Sequence, residues 1–120
     1  MIKSYKDLQV WQKGMELAEE IYRLAKLLPN EELYVMSDQM RRAAVSIPSN
    51  IAEGYQRSSD KDFQRYLYIA KGSNAELETQ LMLSIRLNYI SEEEARKALE
   101  LTERVAKMLN AFIAKLAGLR

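Results

Sequence analysis

Glu53 and Glu76 are the carboxylates placed beside apolar stripes, where a pair could hold a cation or a small polar ligand inside a helical core. Little else in the chain offers a route to covalent chemistry. Its 120 residues include no cysteine and no histidine, which removes disulfides, thiolate nucleophiles, ordinary zinc sites and any imidazole base. Di-metal bundles draw on Glu-x-x-His pairs, which this composition cannot provide. Glu78 does not complete a set with Glu76, because residues two apart on a helix do not face each other. There is no glycine-rich phosphate loop, nucleophile elbow or Ser/Lys pair. The expectation is a non-enzymatic protein without a cofactor. A metal- or small-molecule-binding bundle using Glu53 and Glu76 is the alternative.

Two further groups of polar residues invite a reading. Asn50, Glu53, Ser73, Asn74 and Glu76 fall on or next to stripes that should face inward. Buried polar groups are costly unless paired, so a mutual hydrogen-bonded network that fixes helix register is expected of them. Arg41, Arg42, Arg57, Lys61, Arg65 and Lys71 lie close in sequence, with Tyr55, Tyr66 and Tyr68 interleaved. Cations among aromatics can grip phosphates and stack bases, which makes these the candidate nucleic-acid contacts. Asp38, Glu53, Asp60 and Asp62 dilute the patch, and 18 basic against 17 acidic residues leave a net charge of only +1. No strong long-range pull toward nucleic acid follows from that balance. In a ring of subunits, repetition of a weak patch would strengthen it.

The elements that must position these groups read as helices throughout. With 48% hydrophobic residues, 4 Gly and 2 Pro, the chain favours helix over sheet, and 120 residues suffice for one domain, 1–120. Ser4-x-x-Asp7 marks a helix start. Leu8, Trp11, Met15, Ala18, Tyr22 and Ala25 then form one stripe, and Val10, Gly14, Leu17, Ile21, Leu24 and Leu28 a second. An arc that wide exceeds one helical seam, so the helix is expected to touch either two neighbouring helices or a second subunit, with Val10, Leu17, Ile21 and Leu24 as the candidate interface between subunits. A second helix should begin within residues 31–35 and run to Gly54 with Pro48 inside it. The ring of Pro48 crowds the Ala44 carbonyl and gives it no N–H, at a cost of about 3 kcal/mol, so a kink is expected there and a positive-φ stop at Gly54.

A third helix should span residues 60–87 behind the Ser59-x-x-Asp62 cap. Its cluster of small residues, Ala70, Gly72, Ser73, Asn74 and Ala75, suggests close approach of another backbone, that of the Pro48 kink. Ser91-Glu92-Glu93-Glu94 has the capping-box form and opens a fourth helix whose end, with Arg104, Lys107, Lys115 and Arg120, is basic. Four amphipathic helices with short connections predict an all-α, antiparallel up-down-up-down four-helix bundle with a proline-kinked second helix. No segment approaches 18 uninterrupted apolar residues and the N-terminus has no apolar leader, so a cytoplasmic location without membrane contact is expected.

Several of these residues also carry a resemblance. Asp7-Leu8-x-Val10-Trp11, Ser46-Ile47-Pro48-x-Asn50-Ile51-Ala52-Glu53-Gly54, Phe63-x-x-Tyr66-Leu67-x-Ile69-Ala70-x-Gly72-Ser73, Glu76-Leu77-Glu78 and Leu87-x-Tyr89-Ile90 together make the chain similar to the 23S rRNA-intervening-sequence proteins, also described as S23 ribosomal proteins. The first members were noticed as genes inside insertions in bacterial 23S rRNA genes. The resemblance implies a four-helix bundle assembled as a homopentamer, similar to the accessory variability determinant of diversity-generating retroelements, a basic ring that binds nucleic acid and a reverse transcriptase. It implies a scaffold with structured RNA or an RNA-associated protein as partner. The family name records gene location rather than an activity.

Overall fold

The computed structural model describes residues 1–118 and contains four long helices and two short 3-10 turns. The turn Tyr5–Asp7 precedes α1, Gln9–Ala25; the turn Asn30–Glu32 precedes α2, Met36–Tyr55; α3, Asp60–Arg86, and α4, Glu92–Leu116, complete the chain. Each helix packs on its two neighbours, α1 on α2, α2 on α3, α3 on α4, and α4 back on α1, which makes the antiparallel bundle. The particle measures 44 × 25 × 22 Å.

The expected caps form, but Ser4 caps the 3-10 turn, and α1 itself starts behind Leu8, which makes no side-chain capping bond. The Ser4 hydroxyl accepts from the Lys6 amide at 3.2 Å while the Asp7 carboxylate accepts from the Ser4 amide at 3.1 Å. The Ser59 hydroxyl accepts from Asp62 at 3.1 Å, and Ser91 and Glu94 close a reciprocal box at 3.0 and 2.9 Å. Each satisfies backbone donors that a helix start leaves unpaired. Arg120 lies outside the described residues; Lys115 is in the last turn of α4 as expected.

α2 begins at Met36, later than the spacing suggests, because residues 30–32 wind into the 3-10 turn first. There Glu32 does the capping, its carboxylate accepting from the Met36 amide at 3.2 Å. α2 continues as helix through Pro48, whose ring is buried.

Three expectations about this region need correction. Gly54 does not stop α2 with a positive φ; the helix runs on to Tyr55 and Gln56 caps it in the right-handed region. What Gly54 provides is room for α3, since a Cβ there would lie 2.7 Å from Tyr66 Cβ and 2.9 Å from Phe63 Cδ1. Nor does Gly72 meet the Pro48 region: it is exposed, with nothing within 4 Å of the position a Cβ would take. The element against Pro48 is α1, where a Cβ on Gly14 would sit 3.4 Å from Ile47 Cγ2 and 3.5 Å from Pro48 Cδ.

The third correction concerns the two stripes of α1. Val10 is 4% exposed and Leu17, Ile21 and Leu24 are wholly buried, packed with Met40, Ile47, Ile51, Leu67, Leu77, Leu81, Val105 and Leu109 in the core of one chain. They are not available to a second subunit. The stripe through Met15 and Tyr22 is the one turned outward, at 41% and 47% exposure. Both stripes have helical spacing, so periodicity alone could not tell core from outer face.

Candidate functional site

The expected core network divides into two small groups and loses its carboxylates. Asn50 Nδ2 donates to the Ser46 carbonyl at 2.7 Å and to its hydroxyl at 2.9 Å. That hydroxyl is 2.8 Å from the Ser73 hydroxyl, so α2 and α3 are joined by side-chain hydrogen bonds just before Pro48. Asn74, 3% exposed, turns instead to α4 and donates to the Thr102 carbonyl at 2.9 Å. Thr102 in turn donates to Glu78 at 3.3 Å and to the Leu99 carbonyl at 2.8 Å. The Asn74 side-chain oxygen has no partner.

Glu53 and Glu76 are both exposed, not inward-facing. Glu53 pairs with Arg57 at 3.4 Å, and Glu76 accepts from Gln80 at 3.2 Å, each along its own helix or just past its end. The two carboxylates therefore share no core site. Among the described residues no three acidic side chains come together as metal ligands would.

The six candidate nucleic-acid contacts fall in separate places. Arg41 and Arg42 stand near the start of α2, Arg41 donating to the Leu33 carbonyl at 3.3 Å and Arg42 pairing with Asp38 at 2.9 Å. Arg57, Lys61 and Arg65 gather at the α2–α3 connection, on the order of 20 Å further along the bundle. Here Tyr66 is the organiser: the Arg57 and Arg65 guanidiniums lie 4.8 and 4.6 Å from its ring centroid, and Arg57 also donates to its hydroxyl. Arg65 pairs with Asp62 at 3.2 Å, and that bond, with the Tyr66 contact, holds its guanidinium pKa above the usual value. Lys71, farther along α3, lies 5.9 Å from the ring of exposed Tyr68.

A second surface was hidden in the sequence by the ambiguity of α1. Tyr5, Trp11, Met15 and Ala18 face Val45, Pro48, Ser49 and Ala52 across a groove of about 390 Å³. It continues past Val45 into a shallower depression bounded by Tyr22, Asp38, Arg41, Arg42 and Ser46. The apolar strip thus runs along α1 and α2 with Arg41 and Arg42 at one margin. Its signal in the sequence was the stripe Trp11-Met15-Ala18-Tyr22 read together with Val45 and Ala52, four and eight residues along the next helix from Arg41 and Ala44.

The arrangement defines an all-α bundle whose core is apolar with a few polar links, one of them leaving the Asn74 oxygen unpaired, and whose charged groups lie on the surface. Residues 6–111 match the family described as 23S rRNA-intervening sequence protein, and the chain belongs to that family. A crystal structure of a protein of unknown function from the S23 ribosomal protein family of Bacteroides thetaiotaomicron is 37% identical, with a TM-score of 0.81 over 87% of this chain and 97% of that one. No curated protein matches. Among the described residues no helix is long and apolar enough to cross a membrane.

Proposed function

We propose that the protein is a non-enzymatic, homo-oligomeric scaffold of the cytoplasm that presents its cationic α2–α3 corner to structured RNA. The observation that carries the assembly is the outward strip of Trp11, Met15, Ala18, Tyr22, Val45 and Ala52, with Met15, Tyr22 and Val45 each more than two-fifths exposed. Contiguous exposed apolar surface of this kind marks interaction sites. Five subunits is the number implied by the similarity to the accessory variability determinant. The RNA component rests on Arg57 and Arg65 around Tyr66, with Lys61 in the first turn of α3. Because both guanidiniums cover that ring, contact is with phosphates rather than by base stacking. The ion pairs to Glu53 and Asp62 are exposed and yield at little cost.

Light scattering at about 150 mM salt tests the assembly. Met15→Glu with Val45→Glu should reduce a multisubunit mass to that of one chain while circular dichroism stays helical; a retained assembly would refute this interface. Adding a ribosomal RNA fragment tests the partner. Glutamine at Arg57, Lys61 and Arg65 together should weaken binding and flatten its salt dependence. An assembly indifferent to RNA would transfer the role to an RNA-associated protein.

A further inference from the structure

At the end of the bundle where α2 passes into α3, a cleft of about 550 Å³ opens between that connection, the chain before α1 and the last turns of α4. Its apolar lining comes from Ile2, Leu8, Tyr55, Phe63, Phe112 and Leu116. Phe63 is the hub, edge-on to Tyr55 at 6.1 Å between centroids and to Phe112 at 5.1 Å. The mouth is polar: Arg57 and Lys115 stand there with Ser58, Ser59 and Asp60. Among the described residues Lys115 forms no ion pair. The volume is that of a small-molecule site, and an apolar body with a few placed polar groups is how such sites are built.

We infer that this cleft binds a free aromatic monocarboxylate, its ring against Phe63 and Phe112 and its carboxylate between Arg57 and Lys115. The edge-to-face lining favours a ring over an alkyl chain. Arg57 and Lys115 face the carboxylate of Asp60, with Glu53 paired to Arg57 behind them, so there is no excess of positive charge for a dianion and a monoanion is the most the site suits. Arg57 lines the mouth while its guanidinium rests on Tyr66 and pairs loosely with Glu53 at 3.4 Å, exposed contacts that a ligand carboxylate replaces at little cost. None of this requires the scaffold reading; the cleft is complete within one chain.

The test uses 1-naphthaleneacetate and its neutral amide with the full-length protein, followed by amide NMR shifts and calorimetry. The acid should shift residues 55–63 and 112–116 saturably, and the amide should bind about tenfold more weakly for want of the charged contacts. Lys115→Gln and Arg57→Gln, both exposed positions, should each weaken the acid by several-fold without changing thermal stability. No saturable shift up to about 10 mM would overturn the proposal. Equal affinity of acid and amide, or shifts centred on Trp11 and Met15, would overturn it as well.

Discussion

Replacing Gly54 with alanine should destabilise the bundle, and replacing Gly72 with alanine should stabilise it, although both are glycines inside long helices. In each case alanine gains about 1 kcal/mol of helix propensity. At Gly72 nothing opposes that gain, because no atom lies within 4 Å of the new methyl. At Gly54 the methyl would meet Tyr66 Cβ at 2.7 Å and the Phe63 carbonyl oxygen at 3.3 Å. Neither atom can rotate away, so α2 and α3 must separate. Overpacking of this kind costs about 1–3 kcal/mol, and with a backbone-anchored neighbour the upper end applies, leaving a net loss of about 2 kcal/mol. Urea or thermal unfolding at one fixed protein concentration reads both variants, with each kcal/mol worth about 3–5 °C in a domain this size. A Gly54→Ala protein as stable as the parent would refute the close approach, and with it the packing that holds Phe63 under the cleft. Gly14→Ala should fall between, near neutral or slightly stabilising, since its methyl makes only ordinary contacts at 3.4–3.6 Å.

Asn74→Ala should cost about 1 kcal/mol by removing the bond to the Thr102 carbonyl, measured by chemical denaturation; no loss would mean that the α3–α4 link is dispensable. The Tyr89 hydroxyl donates to Glu32 at 3.0 Å, and that hydrogen bond, then burial and the Glu32 charge, raise the phenol pKa above 10.0. A raised folded-state pKa favours the protonated form, so this contribution is fully present below about pH 10 and fades as pH rises through the folded value. Tyr89→Phe should therefore lower stability at neutral pH and remove part of the alkaline loss; an unchanged alkaline profile would deny the contact its role. Magnesium or manganese should leave the melting temperature unmoved, and a rise of several degrees would reopen a carboxylate site.

The fold was legible because its signals were local. Ser59 and Ser91 cap α3 and α4 where the spacing places them, Ser4 caps the turn before α1, and the periodicity Phe63, Leu67, Ala70, Asn74, Leu77, Leu81, Ser84 and Asn88 marks the buried face of α3 as far as Ser84, with Asn88 exposed past the helix end. The outward apolar strip was less legible, because it depends on which neighbour each stripe meets. α1 carries two apolar stripes, and only the packing of Leu17 and Ile21 against α2 and α4 decides that they are core while Met15 and Tyr22 are not. The carboxylates misled for a related reason: Glu53 stands next to buried Gly54 and Glu76 next to buried Leu77, and a rotation of about 100° per residue carries them into solvent. Of the small residues of α3, Ser73 does meet α2 at Ser46, yet the tight approach falls at Gly54 rather than Gly72, which only long-range packing distinguishes.

Pro48 lies beneath the outer groove, with Gly14 beside it, and together they set how deep that groove is. Its shape can therefore be altered from below: a residue larger than alanine at Gly14, or a different ring or chain at Pro48, would move Val45 and Met15 without changing any exposed side chain. If the groove is the seam between copies, as proposed, two related proteins expressed in one cell are kept from mixing in this way, each recognising its own copies by the contour of the groove. Divergence at a buried pair would then separate one assembly from the other while both surfaces remained alike in composition.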